Sequence, residues 1–228
     1  ISYRKSERVS SYIQLYYSFP IFYNGYLSSS VGLNQFHTIY NDRNDVPIEK
    51  IQGQTTYNDQ MLLLRNEYQH FFNNKSILTI GAEFGNDLSK ADVINSIYSQ
   101  PLQRTLAAFG QLKKNINALW KMDLGIRYDY RWVRGGKKYP KKIFQALSPK
   151  FNIYFQSTPG KQYHLSVNRG FRAPSISELF LEHESSYGLQ FRGNSGLQPE
   201  YLTAAEIGFK NHANQNYTWF TNIFYNYY

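Results

Sequence analysis

A chain of 228 residues can form one large or two small domains, and with no cysteine it has no disulfide, thiol or zinc-thiolate chemistry. No run approaches the ~18 apolar residues of a spanning helix, and Ile1 opens a polar stretch, Ser2 to Arg8, without a signal peptide's apolar core, so a mature or excised chain is expected. The net charge of +9 would suit nucleic acid, but basic residues gather in turns and loops such as Gly135-Gly136-Lys137-Lys138 and Lys141-Lys142, with no recognition helix or RNA-binding sheet motif, so the charge is read as a solvated face, with attraction of anionic ligands as the alternative.

Tyr 21 and Phe 16 bring aromatics to 18%, more than one packed core needs, while the mean hydropathy is negative. A wall with one apolar face, aromatic girdles and a wet interior reconciles the two. Period-two alternation predicts about ten strands, near 9–20, 25–36, 55–71, 76–86, 104–114, 119–133, 146–156, 161–171, 200–210 and 217–228. Most would hold about 11 or 12 residues, close to the 9–11 of a tilted membrane strand. The fourth sets Leu78, Ile80, Ala82 and Phe84 against Thr79, Gly81 and Glu83. The sixth sets Leu124, Ile126, Tyr128 and Tyr130 against Asp123, Gly125, Arg127, Asp129 and Arg131. A strand points successive side chains to opposite faces, and a buried soluble strand would not put four charges on its second face.

The connections alternate. Short turns fall at Asn24-Gly25, Asn73-Asn74-Lys75, Asn115 to Asn117, Thr158-Pro159-Gly160 and Asn211 to Asn216. Long polar segments fall between them, at 37–54, 87–103, 134–145 and 172–199. The predicted fold is therefore all-β, an antiparallel transmembrane β-barrel segment of up-and-down strands with tight turns on one side and long loops on the other. The last predicted strand stops within an aromatic run, Asn226-Tyr227-Tyr228, and the chain is expected to be part of a longer barrel.

After the eighth predicted strand the sequence reads Asn168-Arg169-Gly170-Phe171-Arg172-Ala173-Pro174-Ser175-Ile176-Ser177-Glu178-Leu179-Phe180. It continues to Gly193-Asn194-Ser195-Gly196-Leu197-Gln198-Pro199-Glu200 and then Glu206-Ile207-Gly208-Phe209-Lys210. This resembles the barrel of TonB-dependent outer-membrane receptors of the siderophore and haem uptake type. That family carries a Gly-Phe-Arg-Ala-Pro box, a Glu-Leu pair, a loop with Gly-Asn and Leu-x-Pro-Glu, and a Glu-x-Gly strand start. The matching positions are Gly170, Phe171, Arg172, Ala173, Pro174, Glu178, Leu179, Gly193, Asn194, Leu197, Pro199, Glu200, Glu206 and Gly208. Where many members have Pro-Asp or Pro-Asn, this chain has Ser195-Gly196.

The resemblance implies a barrel of about 22 strands, with these residues as a partial barrel domain, 1–228, that contains no plug. It also implies a bacterial outer-membrane location among lipid and lipopolysaccharide, a small-molecule nutrient, and the TonB energy-coupling complex acting through a plug. The transported ligand would be a ferric siderophore, then haem, then cobalamin or another metal complex, with no resident cofactor. Locally, Ser175-Ile176-Ser177-Glu178 fits a capping box, and Pro174 discourages the strand from continuing, so a strand ending at Arg172 and a short helix at the loop base are expected.

No Gly-x-Ser-x-Gly elbow, phosphate-cradling loop or His-Glu-x-x-His helix is present, and no enzyme is expected. Glu182-His183-Glu184 holds metal-ligating types, yet an extended chain puts His183 opposite the two carboxylates. His183 as a haem or metal ligand is weighed against a solvated loop histidine, the commoner state. Tyr187, Phe191 and Arg192 could clasp a flat or anionic ligand by stacking and charge. His164 is expected to face the wet interior beside Ser166 and Asn168. Two other classes compete: a passive porin-like barrel, marked by no plug-coding region upstream, and a soluble β-sandwich, marked by stability without detergent.

Overall fold

The computed structural model describes residues 2–44, 52–92, 101–135, 139–180, 182–184, 190–212 and 217–228. Strands are β1 (Ser2–Pro20), β2 (Gly25–Asn44), β3 (Gln52–Phe71), β4 (Ile77–Asp92), β5 (Leu102–Asn115), β6 (Trp120–Arg134), β7 (Lys142–Thr158) and β8 (Lys161–Arg172). A short helix α1 (Ile176–Phe180) and a small hairpin, β9 (Glu182–Glu184) with β10 (Gln190–Arg192), precede β11 (Glu200–His212) and β12 (Thr218–Tyr227). Ten strands form one antiparallel sheet in the order β1-β2-β3-β4-β5-β6-β7-β8-β11-β12, and β9 and β10 pair apart from it. Among the described residues the edge strands β1 and β12 do not pair with each other, so the sheet is open.

All ten predicted strands are present, and β8 ends at Arg172 as expected. Their lengths are not as expected: β1 and β2 hold 19 and 20 residues against an expected 12 each, and β3 holds 20 against an expected 17. The extra residues lie at the loop end, where Tyr40-Asn41-Asp42-Arg43 pairs with Gln52-Gly53-Gln54-Thr55. Backbone hydrogen bonds do not require apolar side chains, so the ladder runs on past the apolar band. Segments 37–54 and 87–103, expected to be loops, are in part strand for this reason.

The tight turns use the expected residues. Asn24, Lys75 and Gly160 adopt φ of 64°, 61° and 91°, the left-handed region that asparagine and glycine tolerate best. Asn117 Oδ1 accepts from the Leu119 and Trp120 amides, each at 2.9 Å, closing an Asx turn.

Burial is inverted relative to a soluble sheet. Ile126 and Tyr128 of β6 are 52% and 42% exposed, whereas Asp123 and Asp129 on the other face are 9% and 6%. Adjacent strands repeat this: Ile80, Leu106, Leu147, Leu165 and Ile207 are all exposed. Two aromatic bands bound the apolar face. At the turn end, rings of neighbouring strands follow one another: Trp120–Phe155 4.5 Å, Phe155–Tyr163 6.2 Å, Tyr163–Phe209 4.8 Å and Phe209–Trp219 6.2 Å. Toward the loop end, Trp132 lies beneath Arg104 at 4.8 Å and Lys141 at 4.9 Å. Trp120 and Trp132 share a face of β6 twelve residues apart, about 40 Å along the strand at ~3.3 Å per residue. A tilt of about 40° reduces that to ~30 Å, close to an outer-membrane apolar band with its girdles.

Candidate functional site

The polar face of the sheet is a paired charge network. Arg127 reaches Glu83 at 3.0 Å and Asp129 at 2.9 Å, and Arg65 reaches Glu67 at 2.8 Å and Glu83 at 3.5 Å. Nearer the turns, Asp123 accepts from Gln111 at 2.7 Å and Asn152 at 3.3 Å and pairs with Lys150 at 3.3 Å. Ser166 Oγ donates to Asn152 Oδ1 at 2.6 Å, and His164 meets Glu206 at 3.2 Å. His164 thus lies on the polar face, as expected. The strands also carry basic residues that the sequence reading had placed chiefly in turns: Arg65, Arg127 and Lys150 sit mid-strand, each opposite a carboxylate. Side chains at every second position form a face only once neighbouring strands are in register. Gly208 leaves room for this arrangement, since a Cβ there would overlap the His164 ring and Asn222.

At the loop end the dispersed motifs close on one another. The Arg172 guanidinium donates to Glu178 at 3.0 Å and to Glu200 at 2.9 and 3.1 Å, so one side chain ties the box, the helix and the return strand. The capping box forms: Ser175 N donates to Glu178 Oε2 at 2.7 Å and Glu178 N to Ser175 Oγ at 3.2 Å. Asn194 N donates to the Glu178 carbonyl at 2.8 Å, and Asn194 in turn accepts from Gly196 N at 2.8 Å and Leu197 N at 3.2 Å. Gly193, Pro199 and exposed Leu197 belong to this returning segment, while Gly170 has open space around it. Phe171 stacks toward Tyr201 at 6.3 Å.

Beneath the clasp lies a small apolar cluster of Val133, Phe144, Ala173, Leu179 and Phe180, with Tyr139, Phe171 and Ile176 packed against it. Tyr139 and Phe180 rings are 5.0 Å apart, and Gly135 meets the Phe180 ring so closely that a Cβ would overlap it. Gly135 and Tyr139 were missed in the sequence, where this segment read only as a basic turn. Gly136, Lys137 and Lys138 lie outside the described residues, as does Tyr187. In the β9–β10 hairpin His183 is the register partner of Phe191, Glu182 of Arg192 and Glu184 of Gln190.

Arg172 hydrogen bonds, then the Ser175 amide, lower the Glu178 carboxyl to about 2. A carboxylate held below its unfolded value stabilises above that unfolded value, and the contribution is lost as pH falls through the folded one. Pepsin cleavage between Leu179 and Phe180 in the intact protein is therefore expected to rise as pH drops from 4 toward 2. Glu178→Gln should be cut readily already at pH 4, and equal rates for the two proteins across that range would refute the clasp.

A family model described as TonB dependent receptor-like, beta-barrel matches residues 2–228. The chain belongs to that family. TonB-dependent receptors are transport receptors, not enzymes. Solved structures agree in fold. The FrpB iron transporter from Neisseria meningitidis (F5-1 variant) superposes with a TM-score of 0.70 at 15% identity, over 95% of this chain and 36% of that one. Copper transporter OprC gives 0.75 at 13%, over 91% and 36%. A double mutant of the Serratia marcescens hemophore receptor HasR, in complex with its hemophore HasA and heme, gives 0.66 at 14%, over 96% and 42%. The chain therefore spans less than half the length of each of these three proteins. No curated protein matches the sequence.

Proposed function

We propose that this chain is part of the wall of a bacterial outer-membrane receptor that binds a scarce metal complex, a ferric siderophore first, and admits it by TonB-driven displacement of a plug. The observation that carries the reading is the inverted burial: an apolar, aromatic-banded face suited to lipid and lipopolysaccharide backs a paired charge network suited to a wet lumen. In the remainder of the protein, further strands would complete a barrel of about 22, and a plug would fill the lumen and carry the TonB contact. The connections at the end where α1 and the β9–β10 hairpin lie would gather ligand.

The test is deletion of the gene in its host, with uptake of radioactive iron measured from a panel of ferric siderophores. Loss of uptake for one siderophore, restored by the gene, is expected, with the protein in the outer-membrane fraction. Unchanged uptake of every iron complex would refute it. A haem reading is favoured by one feature, His183 in register with Phe191 on a hairpin at the loop end. If haem is the ligand, His183→Ala should abolish haem binding, read by the Soret band, without altering barrel assembly.

A further inference from the structure

A groove of about 640 Å³ lies on the apolar face, clear of the loop-end clasp. That volume falls within the ~300–1,000 Å³ usual for small-molecule sites. Its walls include Leu112, Leu124, Ile126, Phe151 and Val167, on β5 to β8. Two residues open it. Gly110 contributes no side chain to the row, and Pro149 occupies the centre of β7, paired with Ile126. Proline in an interior strand removes a ladder donor and is ordinarily confined to edges. Both irregularities fall on one patch, so the neighbouring side chains do not meet across it.

Polar residues line it too: Gln111 and Lys150 turn their side chains to Asp123 on the other face, and of the two lining cations it is Arg169 that lies on the apolar face. Arg169 shares its face of β8 with Tyr163, Leu165, Val167 and Phe171, and its guanidinium lies 4.2 Å from the Tyr201 ring centre. A cation on a lipid-facing strand is costly at the bilayer midplane and far less so near an interface. Arg169 sits three residues from the loop end of β8, where its long stem can lift the charge toward the headgroups. The groove thus has an apolar floor of several strands and a cation at its loop-end margin.

We infer that this groove seats an acyl chain of an anionic phospholipid, one whose headgroup carries net negative charge, with Arg169 contacting the phosphate. The inference rests on the apolar face being the membrane face. The shape supplies the tail site, and the charge selects an anionic headgroup over a zwitterionic one.

The experiment is native mass spectrometry of the intact receptor in detergent, titrated with phosphatidylglycerol and with phosphatidylcholine of the same chains. Wild type should retain one tightly held phosphatidylglycerol. Gly110→Leu should weaken that binding roughly tenfold, because a leucine side chain would fill the space a lipid tail needs. A Cβ at Gly110 would meet Ile80 Cγ2 at 3.9 Å, an ordinary contact, so the backbone tolerates the change. Arg169→Gln, at an exposed position, should leave phosphatidylcholine binding alone and cut the preference for phosphatidylglycerol roughly fivefold. Equal lipid binding by wild type and both variants, in a receptor that still inserts and transports, overturns the groove alone. A receptor that is soluble without detergent and absent from the outer membrane overturns the membrane reading beneath it.

Discussion

Phe180→Ala is expected to release the loop-end clasp while leaving the sheet assembled. Phe180 is only 2% exposed and packs with Leu179, Val133 and Phe144 against Gly135 and Tyr139. Removing a buried phenylalanine costs about 3–5 kcal/mol when the surroundings cannot collapse into the space. The backbone around it is fixed by the Asn194–Glu178 hydrogen bond and by the Arg172 ion pairs, so little collapse is available. The penalty falls on local opening of residues 173–199, because the strands below are held by their own ladders. Amide exchange at Leu179, Asn194 and Leu197 should therefore accelerate by roughly two to three and a half orders of magnitude, at about 1.4 kcal/mol per decade. Exchange on β5 and β6 should not change. Uniform acceleration across the sheet, or none at the clasp, would show that the cluster is not an independent unit.

The second large effect lies on the polar face. A Cβ at Gly81 would come within 2.6 Å of the Asn66 carbonyl oxygen and overlap the Phe109 ring. The ring cannot retreat freely, since the Arg65 guanidinium lies 4.5 Å from its centre and is tied to Glu67 and Glu83. The carbonyl belongs to β3 and moves only with the β3–β4 ladder. Gly81→Ala should therefore destabilise the barrel by about 1–3 kcal/mol, the usual cost of forcing atoms into a filled site. Denaturant unfolding in micelles would read this as a lower midpoint at unchanged slope. Gly208→Ala provides the contrast. The atoms it would overlap are the tips of His164 and Asn222, which can rotate away, so the His164–Glu206 pair should break at a smaller loss of stability.

The clasp also changes what the family motif signifies in this chain. Arg172, Glu178, Asn194 and Glu200 spend their polar groups on one another and on backbone amides. They shape the base of the longest loop, which projects the β9–β10 hairpin, the segment to which sequence reasoning assigned His183, Phe191 and Arg192. In this chain the polar groups of those four motif residues serve loop architecture.

Although it did not reveal the β9–β10 hairpin, the amino-acid sequence alone determined the ten strands of the main sheet, the two faces of those with strict alternation, the tight turns and the capping box. All of these are local: alternation has a period of two, and Asn117 or Ser175 satisfies backbone groups two or three residues away. The tertiary structure alone decided which charges meet and where the strands end. Arg127 and Glu83 are 44 positions apart in the chain, and Arg172 and Glu200 are 28 apart, so only the sheet's register brings them together. The strands outrun their apolar pattern because backbone ladders are indifferent to side-chain polarity, and that pattern was the signal used to find their ends. Gly135 reads as one more turn glycine until Phe180, 45 positions later, lies against it.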